Sequence, residues 1–336
     1  MKRSTSGVFQ AFSLSLIAIC TIACSSQEHK VSKGSISAPL HSEKIPWTGP
    51  SAYQIPLYSQ EAGKAIWYGH ELIAKTSYYL GPKGTVAKIS NGLNCKNCHL
   101  DAGTKPFGNN YGAVASTYPK FRERSGSVET IEKRVNDCFE RSLNGKPLDD
   151  SSTEMKAIVA YLNWVGHKIP KGEKPYGSGI MELDYLARAA DPEKGKIVFG
   201  GHCARCHGNN GQGLANADGT GYEFPPLWGP NSYNDGAGLY RLSRFAGYVY
   251  NNMPNTVNWH NPEISQEQAW DVAAYVNSQP RPKKNLTGDW PDIAGKPVDH
   301  PFGPYADPYP EVQHKYGPFG EIAQWKKEHQ KKNANK

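Results

Sequence analysis

The chain has 336 residues, 38% of them hydrophobic, with a mean hydropathy of −0.64 and a formal charge of +7. That length holds two domains with residues left for a leader and a tail, and the hydropathy excludes an internal membrane span. The basic balance suits anionic small molecules or an acidic partner, whereas no basic helix is interleaved with base-stacking aromatics, which argues against nucleic acid.

Lys2 and Arg3 precede an apolar run from about Val8 to Ile22, so residues 1–23 are predicted to be an export signal whose loss lowers the charge to +5. Cys24 follows the small residue Ala23, as in a bacterial lipoprotein signal, although Thr21 stands where such signals usually carry leucine. Two readings stay open, a lipid anchor at Cys24 or plain cleavage. Both put the mature chain in the periplasm, and the first ties it to a membrane. Residues 24–50, rich in Ser, Lys and Pro, read as a flexible spacer.

An amphipathic helix is predicted over 62–80, carrying Gly63 and Trp67. The segment 81–94 then reads as an insertion before Cys95-Lys96-Asn97-Cys98-His99, which is matched later by Cys203-Ala204-Arg205-Cys206-His207. In Cys-x-x-Cys-His both thiols add across the vinyl groups of a haem and the histidine binds iron from one face. A zinc site would want a second pair of ligands per motif, and none is evident. The motifs therefore predict two covalently bound haems c, held by Cys95, Cys98 and His99 and by Cys203, Cys206 and His207. The fold expected is mainly α, two cytochrome c-type domains in tandem repeat with an irregular C-terminal wrap.

The repeat is traced through four helices. Gly63 with Trp67, and Gly195 with Phe199 on a helix over 192–201, fit a first helix that lets a last helix approach closely. The candidate last helices are 153–165 and 266–278, with Ser152 and Ser265 as N-caps. The divisions that follow are a first domain over 51–167, a linker over 168–190, a second domain over 191–280 and an extension over 281–336 that frays after Lys326.

Counting back from the last helices, Tyr161 lies 23 residues after Cys138 and Tyr275 lies 22 after Met253. Met253, followed by Pro254, is the expected sixth ligand of the second haem, with a core methionine as the plain reading and Asn251 or Asn252 as substitutes if the loop shifts. Cys138 takes the same place in the first half. Of seven cysteines it alone is left over once Cys20 goes with the leader and Cys24 is set aside for lipid. It is either an inert buried thiol or a thiolate ligand. A helix over 128–142 would set Arg134, Cys138 and Ser142 on one face, a cation and a hydroxyl beside the sulfur, which favours the thiolate. Thiolate stabilises ferric iron and methionine raises the potential, so the pair makes a gradient that a plain electron carrier would not need. Arg122, Arg124, Arg134 and Arg141 cluster around Cys138. Arg134 and Arg124 are the expected clamps for sulfonate-like oxygens, followed by Ser142 and, lower, Lys146.

These residues resemble the dihaem thiosulfate dehydrogenases, which include thiosulfate-forming tetrathionate reductases. The resemblance rests on both haem motifs, on the segment from Arg134 through Cys138 to Lys146, on Met253-Pro254 and on the tail from Gln313 to Phe319. It implies His99/Cys138 and His207/Met253 ligation and oxidation of two thiosulfates to tetrathionate. It also implies a c-type electron partner, soluble or membrane-bound. Catalysis would involve Cys138, Arg134, Arg124 and Ser142. Some members carry a lysine in the second-haem loop, but Val249-Tyr250-Asn251-Asn252-Met253 has none. The competing reading is a non-enzymatic periplasmic dihaem electron carrier. A third is a cytochrome that joins thiosulfate to a carrier protein.

Overall fold

The structure, a computed structural model, describes residues 44–57 and 60–334. The expected signal, Cys24 and most of the spacer lie outside the described residues. The end of the spacer is fastened down: the Trp47 N–H donates to the Tyr176 carbonyl at 2.6 Å and that of Gly49 to Thr104 at 3.0 Å.

The first half runs α1 (Gln60–Ala74), α2 (Thr76–Leu80), α3 (Leu100–Gly103), α4 (Val114–Thr117), β1 (Lys120–Arg122), β2 (Ser127–Glu129), α5 (Ile131–Arg141) and α6 (Thr153–Val165). The single helix expected over 62–80 is broken at Lys75, whose φ of −129° and ψ of 40° leave the helical region. Thr76 explains the break. Its hydroxyl donates back to the Leu72 carbonyl at 2.7 Å and accepts the Cys95 N–H at 3.0 Å, so it serves the haem motif rather than a continuous helix. The helix expected from residue 128 starts at Ile131, because residues 127–129 pair with β1, Phe121 opposite Val128. Thr130 caps it by accepting the Lys133 N–H.

The second half runs α7 (Pro192–His202), α8 (Ala204–His207), β3 (Leu214–Ala215), β4 (Tyr222–Phe224), α9 (Leu242–Asn252) and α10 (Gln266–Ser278). Asp191 caps α7 with Pro192 in its first turn, and Ser265 with Gln268 forms a capping box on α10. Each half has its own apolar cluster, with Phe139, Ile158 and Tyr161 in one and Phe199, Phe245 and Trp270 in the other.

Close crossings of α1 on α6 and of α7 on α10 organise both halves. A Cβ on Gly195 would overlap the Asp271 carbonyl oxygen and lie 2.9 Å from Tyr275 Cβ. The first-half counterpart is Gly69, not Gly63: a Cβ there would overlap the Ala157 carbonyl oxygen and lie 2.7 Å from Tyr161 Cβ. The gap-filling residue four places on is buried Ile73, while Trp67 is 45% exposed against 3% for Phe199.

The expected irregular wrap is irregular only as far as Pro310. Beyond it lie α11 (Glu311–Tyr316) and α12 (Phe319–Ala334), so the described residues run on in helix past Lys326, where a frayed basic end was expected. Phe319 and Ile322 enter the second-half core, and this burial is what orders a segment that composition alone reads as loose. Asp299 accepts from Arg241 Nε at 2.8 Å and from Ser243 N at 3.0 Å, tying the wrap to the start of α9.

Gly69→Ala should destabilise the haem-loaded protein by about 1–3 kcal/mol through overpacking. Gly200→Ala, where a Cβ meets nothing, should be neutral or gain up to about 1 kcal/mol of helix propensity. Equal urea midpoints for Gly69→Ala and wild type would show that the crossing is not tight.

Candidate haem and substrate sites

In the first half a cavity of about 170 Å³ is lined by Cys95, Cys98 and His99 together with Arg134, Cys138 and Ser142 of the α5 segment. The three α5-side residues share one face, as their spacing requires. Arg134 Nη1 donates to Cys138 Sγ at 3.1 Å, and the nearby sulfur raises the pKa of the guanidinium further. His99 Nδ1 donates to the Asn109 carbonyl at 2.5 Å, and since a carbonyl only accepts, Nε2 keeps its lone pair. Burial lowers the His99 pKa to about 4, against the smaller opposing effect of that carbonyl, so the ring is a neutral donor.

The second half repeats this arrangement. A cavity of about 670 Å³ is lined by Cys203, Cys206, His207 and Met253. His207 Nδ1 donates to the Pro225 carbonyl at 2.8 Å, and burial again lowers the ring's pKa. Met253 is placed by α9, which the sequence reading missed although Leu242, Phe245, Ala246 and Val249 carry the helical period. Asn251 and Asn252 do not line the cavity. Their amides donate to Gly247 O at 2.8 Å and to Phe107 O at 3.1 Å, and both side chains are fully buried. Two thiols, an oriented imidazole and a sulfur on each cavity fit a c-type haem in both halves. The cavities share Leu93 and Cys98, and the Tyr248 hydroxyl donates to the Asn97 carbonyl at 2.9 Å across the seam.

The four arginines separate by environment. Arg141 donates two hydrogen bonds of 2.8 Å to Asp289, so it fastens the C-terminal segment to α5 and is not free to clamp a substrate. Arg122 Nε lies 3.9 Å from the Glu129 carboxylate. Arg124 lies outside the Cys138 cavity, in a small pocket with Asp235, Tyr240, Asp289 and His300, and makes no ion pair among the described residues. Burial, then repulsion from Arg141 and Arg134, lowers its pKa to about 10, so it stays charged at neutral pH. Lys146 is exposed and contributes its backbone N–H to Ile89 O. Tyr111 and Tyr118 line the Cys138 cavity and were not singled out in the sequence, since an isolated aromatic carries no positional signal.

Residues 85–170 match the SoxA/TsdA cytochrome c domain and residues 192–280 match the cytochrome c family. The chain is 35% identical over 257 residues to the thiosulfate dehydrogenase of Allochromatium vinosum, covering 74% of this chain and 91% of that one. The chain belongs to the thiosulfate dehydrogenase family. It is also 39% identical over 205 residues to the thiosulfate dehydrogenase of Psychrobacter arcticus, an alignment spanning 61% of each protein. The solved thiosulfate dehydrogenase (TsdBA) of Marichromatium purpuratum superposes with a TM-score of 0.64 at 30% identity, covering 77% of this chain and 52% of that longer one. Two tandem cytochrome c domains imply two c-type haems.

Asp289→Ala would strand the guanidinium of Arg141 in a mostly buried position and should cost about 3–5 kcal/mol of stability. Chemical denaturation should recover part of that loss in Asp289→Ala/Arg141→Leu. A single variant as stable as wild type would mean that the pair holds nothing together.

Proposed function

We propose that the chain interconverts thiosulfate and tetrathionate, two thiosulfate dianions giving one tetrathionate dianion and two electrons. The observation that carries this reading is the 3.1 Å contact between Arg134 Nη1 and Cys138 Sγ on the same cavity as His99. In this proposal His99 and Cys138 hold the first haem and His207 and Met253 the second, with thioether links at Cys95, Cys98, Cys203 and Cys206. When bound, the haems supply two one-electron acceptors, so each thiosulfate pair can be oxidised without a two-electron carrier.

The residues of the chain do the rest. Arg134 holds a thiosulfate against the Cys138 sulfur, lowering the cost of bringing an anion to a thiolate. The sulfane sulfur of that thiosulfate bonds to Cys138 Sγ as two electrons leave, giving a cysteine–thiosulfonate. A second thiosulfate attacks the sulfane sulfur, the bond to Sγ breaks, tetrathionate departs and the thiolate is restored. Ser142, on the same wall, is positioned to donate a hydrogen bond to a sulfonate oxygen. Arg124 belongs with the supply of positive field around this site rather than with its wall. Reversed, the same steps cleave tetrathionate. Export, lipid anchoring at Cys24 and delivery of electrons to a soluble or membrane-bound c-type partner complete the proposal and rest on the leader residues and the basic charge.

The test compares wild type with Cys138→Ala, using thiosulfate with ferricyanide and tetrathionate with reduced viologen. Wild-type turnover that disappears in the variant, with both haems still attached, is the expected result, and the two wild-type rates give the direction. Full activity in Cys138→Ala would sink the proposal. A wild type inactive with both substrates would favour the electron carrier.

A further inference from the structure

The hairpin of β1 and β2 divides its side chains sharply. Phe121 and Val128, directly paired, point outward and are 56% and 66% exposed. By strand alternation Lys120 and Arg122 share the opposite face with Glu129, which is only 2% exposed. Glu129 is the cross-strand partner of Lys120, yet its carboxylate approaches Arg122. Lys120 therefore has no ion pair among the described residues. Its ammonium stands 4.9 Å from the centroid of the Tyr118 ring, and Tyr118 lines the Cys138 cavity. Neighbouring cations are otherwise engaged: Lys171 donates to the carbonyls of Ala115 at 3.0 Å and Tyr118 at 2.6 Å, and Lys133 bonds Asp137 at 2.8 Å.

We propose that Lys120 is a substrate-binding cation of the Cys138 site, holding the sulfonate of the second thiosulfate while Arg134 holds the first. The inference rests on the thiosulfate reading above and adds to it a residue that accounts for the second anion. Two dianions must meet at one sulfur, and a single guanidinium at Cys138 offsets only one of them. A half-buried lysine that its own hairpin leaves without a carboxylate, its ammonium over the ring of the tyrosine that walls the cavity, is the cation available to supply the missing charge. The groups around it are Tyr118, Arg122, Glu129, Arg134 and Lys174. Burial, then repulsion from Arg122, Lys174 and Arg134, lowers the Lys120 pKa to about 8, with Glu129 opposing. The charge that draws the anion is therefore present below about 8 and is lost as pH rises through it.

Lys120→Met and Lys120→Arg are compared with wild type and with Lys64→Met, an exposed lysine paired to Glu61 on α1. Tetrathionate binding to the fully oxidised protein, where no turnover occurs, is measured by calorimetry alongside thiosulfate kinetics with ferricyanide. Lys120→Met should weaken tetrathionate binding and raise KM by about tenfold with kcat changed less, as expected for one charge-assisted hydrogen bond. Lys120→Arg should restore most of both and remove the rise in wild-type KM above pH 8. Lys64→Met should match wild type. Unchanged binding and KM in Lys120→Met overturn the inference while leaving the thiosulfate reading intact. So does an equal loss in both Lys120 variants accompanied by an altered haem spectrum, which would mark a structural role. A wild type without thiosulfate turnover overturns the parent reading instead.

Discussion

Backbone approach at two glycines is the constraint on which the structure depends. Gly69 and Gly195 each lie against a carbonyl and a tyrosine Cβ on the last helix of their half, where any side chain would overlap. Once those helices are locked, the haem motif has a fixed point of departure. In the second half Cys203 is itself the C-cap of α7. In the first the link is Thr76, whose hydroxyl both ends α1 and accepts the Cys95 N–H. Tyr161, part of the first crossing, also donates its hydroxyl to the Ala102 carbonyl at 2.9 Å just beyond His99. The crossing therefore positions the first cysteine from one side and the proximal histidine from the other.

Around Cys138 the meaning of the positive charge lies in how it is divided. Arg141, Lys133, Arg122 and Lys171 are spent on Asp289, Asp137, Glu129 and backbone carbonyls. Arg134, Arg124 and Lys120 form no ion pair with a carboxylate among the described residues; Arg134 stands against the Cys138 sulfur, and its charge pushes on both Arg124 and Lys120. Grouped cations repel one another, and bound anions would relieve that cost. That bias suits the proposed reaction, in which both partners are dianions whose mutual repulsion a positive field would screen.

Much of this was legible in the sequence because it is local. Ser152 and Ser265 cap helices whose spans match the periodic runs, and both pentapeptides bring their cysteines and histidines onto one cavity each. The Arg134, Cys138 and Ser142 face follows from helical spacing alone. What failed was set by tertiary contact. Gly63 and Gly69 are equally good glycines in a helix, and only the Ala157 carbonyl distinguishes them. Four arginines near one cysteine look alike until Asp289, far along the chain, claims Arg141. Lys120 carries no sequence signal of its own beside four arginines, and only the pairing of Lys120–Arg122 with Ser127–Glu129 sets it over Tyr118. The C-terminal helices were hidden by prolines and by polar composition, since their order comes from Phe319 and Ile322 reaching another core.

The asymmetry between the halves gives the seam its importance. In the proposed reaction a thiosulfate pair gives up two electrons, and two one-electron acceptors held in one body could take both without leaving half-oxidised sulfur waiting. Here the two cavities have Leu93 and Cys98 in common, and Tyr248 and Asn252 of α9 donate across the seam to Asn97 and Phe107. The helix that presents Met253 to one cavity is thus bonded to the motif of the other, at Asn97, and to the segment after it, at Phe107. In the proposed ligation, a sulfur suited to low potential on α5 and one suited to high potential beyond α9 are held in one packed body, each on its own cavity. On that argument the tandem repeat is more than duplication: with Cys138 on the first cavity and Met253 on the second, one copy of the cytochrome frame suits the chemistry proposed above and the other suits electron transfer.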